Sequence, residues 1–85
     1  MNILVVNIGN SRTAAGWFSK GKIRRSARSA SVTPVILEAV TNDEIPAGIC
    51  LCSVAPGRNA AWARLVKKTF PKVPVLWVNH LLDFG

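Results

Sequence analysis

The stretch from Ile3 to Thr13 constrains this chain more than any other. Its opening run, Ile3-Leu4-Val5-Val6, has the length and β-branching of a buried strand. The run leads straight into a small polar turn, Asn7 to Ser11, and then into a second extended segment, Thr13 to Phe18. A tight strand–turn–strand of this kind leaves backbone N–H groups pointing outward, where they can hold phosphate oxygens without side-chain charge. Gly9 allows close backbone approach or a positive φ. Asn10, Ser11 and Thr13 add short hydrogen-bonding side chains. The same residue types also favour an ordinary hairpin turn for conformational reasons alone. Composition leaves both readings open.

The pattern continues as alternating elements. Strands are predicted over Asn2 to Ile8, Thr13 to Ser19 and Ile23 to about Ser29, with a hairpin turn at Ser19-Lys20-Gly21-Lys22. The third strand alternates weakly: Ile23, Arg25, Ala27 and Ser29 oppose Arg24, Ser26, Arg28 and Ala30. That reads as an edge strand protected by charge. Thr33 is a candidate N-cap with Pro34 at the first helical position, and Ile36, Leu37 and Val40 supply the apolar stripe. A fourth strand is expected over Ile49 to Ser53. After the Pro56-Gly57 turn, Asn59 is expected to cap a second helix, about Ala60 to Phe70. Its buried stripe would include Ala61 and Leu65, with Trp62, Val66 and Thr69 as further candidates, and Arg58, Arg64, Lys67 and Lys68 would face solvent. Pro71 ends the helix, and Val75 to Val78 forms a fifth strand.

Eighty-five residues allow one small domain. Eleven Lys and Arg against four Asp and Glu give a net charge of +7, which admits nucleic acid, an anionic membrane or anionic nucleotides as partners. The Arg24, Arg25 and Arg28 cluster lacks the aromatic or helical presentation usual in nucleic-acid binding, so a solvated face is expected. Cys50 and Cys52 stand two apart on a strand, where a disulfide would be strained. They read as reduced core thiols of a cytoplasmic protein. Zinc would need more ligands than these and His80, the one histidine, provide. No basic region precedes the apolar run, so no signal peptide is expected, and no segment approaches a transmembrane span. Trp17, Trp62 and Trp77 fall on separate elements and read as core or interface anchors.

The order Asn7-x-Gly9-Asn10-Ser11-x-Thr13 after an N-terminal apolar strand resembles the first phosphate motif of the type III pantothenate kinases, which reads Asp-x-Gly-Asn-Thr/Ser. Ile49 to Pro56, an apolar strand ending in Ser53-Val54-Ala55-Pro56, is similar to the family's second landmark, Ser-Val-x-Pro. Val75-Leu76-Trp77-Val78-Asn79 is similar to the strand after the following helix. The resemblance covers nearly the whole chain in order and spacing. It implies an α/β fold: a ribonuclease-H-like half-domain with a β-β-β-α-β-α-β mixed sheet and helical crossovers. Ligands in such sheets bind beyond the carboxyl ends of strands, which would bring Asn7 to Ser11 and Ser53 to Pro56 toward one cleft.

The chemistry implied by the resemblance is transfer of the ATP γ-phosphoryl group to pantothenate, toward coenzyme A. Gly9, Asn10, Ser11 and Thr13 would cradle phosphates, Arg12 would offset their charge, and Ser53 would face the cleft or simply form a turn. Asn7 stands where the family has an Asp near the magnesium. It keeps one acceptor oxygen and loses the charge, so weaker metal handling is expected. The cofactors implied are ATP and Mg²⁺, with room for a monovalent cation, and the implied assembly is a cytoplasmic homodimer without membrane or nucleic-acid partners. The family's Gly-Ala-Asp-Arg motif, with its catalytic base and pantothenate contacts, does not occur in these residues. Asp43 and Asp83 lie in no matching motif. The expectation is an N-terminal nucleotide-binding lobe, residues 1–85, of a longer two-lobed kinase, inactive alone. The alternatives are a catalytically degenerate homologue acting as a regulator and, behind it, a basic nucleic-acid-binding module.

Overall fold

The computed structural model describes residues 1–78. Five strands form one mixed sheet in the order β3-β2-β1-β4-β5: β1 Asn2–Ile8, β2 Thr13–Ser19, β3 Lys22–Ser29, β4 Gly48–Ser53 and β5 Val75–Val78. Strands β1, β2 and β3 run as an antiparallel meander, while β4 and β5 join in parallel beside β1. The crossovers are α1, Val35–Thr41, and α2, Asn59–Thr69, the latter entered through a 3₁₀ turn at Pro56–Arg58. This mixed α/β arrangement is the ribonuclease-H-like half-domain expected from the motifs.

Side-chain alternation explains where the core lies. Along β1, Leu4, Val6 and Ile8 are fully buried, and the register sets them beside Trp17, Ala15 and Thr13 of β2 and Ile49, Leu51 and Ser53 of β4. Ile36, Leu37 and Val40 of α1 and Trp62 and Val66 of α2 close over this same face. The alternate residues, Ile3, Val5 and Asn7 with Cys50 and Cys52, belong to the other face, which no described helix covers. Cys50 and Cys52 are therefore free, half-buried thiols on the open face, not core thiols. The expectation from residue type failed because parity along β4 gives the core to Ile49 and Leu51.

The β2–β3 turn falls where Lys20-Gly21 predicted it, with φ of 53° and 81° at the two central residues. Two consecutive left-handed residues match the right-handed twist of the flanking strands. The weak alternation of β3 has a local cause. Trp17 pairs with Arg25 and Phe18 with Ile23, so Arg24 is an extra residue in the ladder. The frame slips there: Ile23 goes to the open face while Arg25 and Ala27 stay with the helices.

Arg25 corrects the picture of a wholly solvated basic face. Its guanidinium lies 5.3 Å from the Trp17 ring centroid. Its Nε donates to the Val40 carbonyl oxygen at 2.6 Å and its Nη2 to the Glu44 carboxylate at 3.1 Å. It thus satisfies a carbonyl left open at the end of α1, where a cation is also favoured by the helix dipole.

Two expected caps also differ. Asn59 is the first residue of α2, with its side-chain oxygen buried and unpartnered among the described residues, because the preceding 3₁₀ turn already leads the chain into the helix. Thr33 accepts a hydrogen bond from the Val35 amide at 3.3 Å, but Pro34 holds the cap position. Within α2, Thr69 is exposed and bonds back to the Leu65 carbonyl at 2.8 Å, so it leaves the expected buried stripe. Trp17 and Trp62 are core residues, whereas Trp77 is 44% exposed near the sheet edge. Asn79, His80 and Asp83 lie outside the described residues. No described helix is long and apolar enough to cross a membrane.

Candidate functional site

The first element of the site is the turn between β1 and β2. The Gly9 amide donates to the Arg12 carbonyl oxygen at 3.0 Å, which closes the turn over residues 9–12. Glycine is required here for space. A Cβ on Gly9 would stand 2.5 Å from that carbonyl oxygen, closer than real Cβ contacts allow. The positive φ considered from sequence is not adopted at Gly9; the described glycine that has one is Gly21. Asn10, Ser11 and Arg12 are exposed, and their amides donate to no other backbone group among the described residues. The turn therefore carries three adjacent amides without a backbone partner among the described residues, and successive free amides in a turn can accommodate an anion.

The second element comes from the neighbouring parallel strand. Asn7 pairs in register with Cys52 and Ile8 with Ser53, so β1 and β4 end at the same level. The Val54 amide donates to the Ile8 carbonyl at 3.0 Å and extends this pairing by one step. The Ser53 hydroxyl accepts from the Ala55 amide at 3.0 Å. Its visible role is to shape the turn leaving β4.

Arg58, assigned to a solvated helix face by sequence, is the residue that joins these elements. Its Nη1 donates to the Gly9 carbonyl at 2.8 Å and to the Asn10 carbonyl at 3.4 Å, and its Nη2 donates to the Ala30 carbonyl at 2.9 Å. The helical periodicity that located α2 carried no signal for this contact, because Arg58 precedes the helix and reaches a turn 49 residues away in sequence.

The remaining candidates are distributed unevenly. Asn7 is exposed and faces a concavity of about 340 Å³ on the open side, shared with Val5, Cys50, Cys52 and Val78. Thr13 is fully buried on the helix side, and its hydroxyl has no hydrogen-bond partner among the described residues. Arg12 is exposed and makes no ion pair among them. Asp43 and Glu44 follow α1 at the other end of the sheet, where the Ala47 amide meets the Asn2 carbonyl at 2.7 Å. Burial pushes both thiols above their ordinary pKa, and for Cys50 the neighbouring Cys52 adds to the shift. At neutral pH they are thus uncharged thiols beside Asn7.

This donor set fits phosphate better than a protein-held metal. It offers free amides and a cationic guanidinium. No group of three metal-ligating His, Cys, Asp or Glu side chains exists among the described residues. Mg²⁺ prefers carboxylate and phosphate oxygens, and at Asn7 the chain offers it a neutral carboxamide.

The family model for type III pantothenate kinase matches residues 3–85. The chain belongs to that family. The family is one of kinases that use ATP and pantothenate, and membership accords with the strand order and strand-end turns described above. A search of curated proteins finds no match for the chain.

Proposed function

We propose that residues 1–85 form the ATP-binding lobe of a pantothenate kinase, the N-terminal part of a longer two-lobed enzyme that transfers the ATP γ-phosphate to pantothenate in coenzyme A biosynthesis. One observation carries the reading: the free amides of residues 10–12 stand at the carboxyl end of β1, level with the end of the parallel strand β4. That is where open α/β sheets take their ligands.

In this reading the Asn10, Ser11 and Arg12 amides hold phosphate oxygens, with Gly9 keeping the turn tight enough to present them. The Arg12 side chain offsets phosphate charge. Thr13 closes the turn from the core side by its burial, its hydroxyl being unpartnered among the described residues, and Ser53 shapes the opposite lip. Phosphoryl transfer depends mainly on positioning and charge neutralisation, which such a cradle supplies for one reactant. Asn7 is the residue of this lobe that would face Mg²⁺, to which it would offer one neutral carboxamide oxygen, so nucleotide phosphates would have to supply most of the ligands. A monovalent cation is compatible with the family but has no residue assigned to it. The catalytic base and the pantothenate contacts come from outside these residues, so the 85 residues alone do not turn over. The active assembly is a cytoplasmic homodimer.

Asn7 supports a second reading, a degenerate homologue that binds nucleotide and regulates without catalysis. ATP-dependent phosphorylation of pantothenate by the full-length protein, with Asn7 and with Asn7→Asp, separates the two. Activity of the native form establishes the kinase. Activity only after Asn7→Asp establishes the degenerate homologue. Silence in both folded proteins removes the kinase reading.

A further inference from the structure

We infer that Arg58 is a positioning residue for phosphate recognition: by gripping the carbonyls of Gly9 and Asn10 it aims the amides of Asn10 and Ser11 at the ligand. The inference rests on the phosphate-cradle reading above and extends it to a residue outside both the phosphate motif and the Ser53 to Pro56 landmark.

The argument begins with the peptide plane. In a trans peptide the C=O of one residue and the N–H of the next point in opposite directions. The Gly9 carbonyl and the Asn10 amide share one plane, and the Asn10 carbonyl and the Ser11 amide share the next. Arg58 Nη1 takes both carbonyls, at 2.8 Å and 3.4 Å. The two amides must therefore point away from Arg58, and neither has another backbone partner among the described residues. One guanidinium fixes the direction of two consecutive free donors.

Arg58 is itself held in place. Nη2 donates to the Ala30 carbonyl at 2.9 Å, so the fork is anchored between the β1–β2 turn and the segment after β3. Its backbone is fixed too, since the Arg58 amide donates to the Ala55 carbonyl at 2.9 Å in the 3₁₀ turn. No described carboxylate pairs with it. Its charge therefore remains behind the peptide planes, where it polarises them. A cation at the carbonyl end strengthens the donor at the amide end, as in any hydrogen-bond chain. Lysine offers a point charge without a planar fork and cannot span the same carbonyls in this geometry.

The test uses the full-length protein, its Arg58→Ala and its Arg58→Lys variants. One readout is the ¹H–¹⁵N amide signals of Asn10 and Ser11 without ligand. The other is the affinity for Mg-ATP compared with adenosine, which lacks phosphate. The expected result for Arg58→Ala is displaced Asn10 and Ser11 amides, Mg-ATP binding weaker by about tenfold, and unchanged adenosine binding, in line with losing a charge-assisted contact. Arg58→Lys should fall between the alanine variant and the native protein, and it carries the test if the alanine variant does not fold. KM for ATP should rise while KM for pantothenate stays constant, a split that general destabilisation would not produce. Amides that stay in place, or Mg-ATP affinity that stays native in a folded variant, overturn the role of Arg58. A native protein that binds Mg-ATP no better than adenosine overturns the phosphate cradle itself, a failure distinct from the first because the amide signals still report whether Arg58 orients the turn.

Discussion

The Gly9 amide and the Arg12 carbonyl oxygen close the β1–β2 turn at 3.0 Å, and that same oxygen occupies the space a side chain on Gly9 would need. Two backbone groups three residues apart thus decide which residue stands at position 9.

Gly9→Ala follows directly. The added methyl meets a backbone oxygen, which cannot rotate aside as a flexible side chain would. The turn must open, at a cost of roughly 1–3 kcal/mol. Urea unfolding should show this loss, and Mg-ATP affinity should fall with it. A variant of native stability and affinity would show that the turn is not held as described.

A second prediction contrasts two leucines on adjacent strands. Leu51 in β4 is fully buried, while Leu76 in β5 is 65% exposed. Leu51→Ala should cost roughly 2–5 kcal/mol, from lost burial plus the cavity left behind. For a domain this small, that approaches the whole folding free energy. Leu76→Ala should stay within about 1 kcal/mol by equilibrium unfolding of residues 1–85. Equal effects would contradict the assignment of the core to the helix side.

Arg25 joins α1 to the sheet through the Val40 carbonyl and the Trp17 ring. Arg25→Ala should destabilise by about 1–2 kcal/mol, since it removes a carbonyl partner and a cation–π contact together. Glu44→Gln should cost under about 0.5 kcal/mol, because that partner is half exposed. Denaturation in low and high salt separates them: the arginine effect should persist, and the glutamate effect should fade.

Cys50 and Cys52 should alkylate slowly at neutral pH. Burial of both and, for Cys50, the adjacent thiolate favour the protonated form. The folded pKa lies above the unfolded one. The associated stabilisation is therefore complete below the ordinary thiol value of about 8.5 and is lost as pH rises through the folded value. Iodoacetamide labelling should accelerate only on the alkaline side, later than for a free thiol. Rapid labelling of both at neutral pH would contradict the shift.

Much of this protein was legible in one dimension. The boundaries of β1, β2 and β5 coincide with those read from the apolar runs and their turns, and β3, β4 and α2 shift by about one residue. Those elements are set by local patterning and by glycine, proline and asparagine, whose preferences act over a few residues. The three landmarks, in order, also carried the family. Other features depended on which strands became neighbours. Cys50 and Cys52 went to the open face because β4 lies beside β1 in a register that gives the core to Ile49 and Leu51. Ile23 left the frame of its own strand because of a bulge at Arg24 that exists only once β2 and β3 pair.

The sequence by itself determined the elements, their order, the apolar content of the core and the glycine-containing turn, because each is written in residues close together along the chain. Only the tertiary structure decided what the arginines do. Arg25 and Arg58 look like surface charge in sequence, yet one closes the end of a helix and the other grips a turn 49 residues away. A long cationic side chain takes its role from whichever carbonyls the fold leaves unpaired within its reach, and those are fixed only when the sheet has assembled.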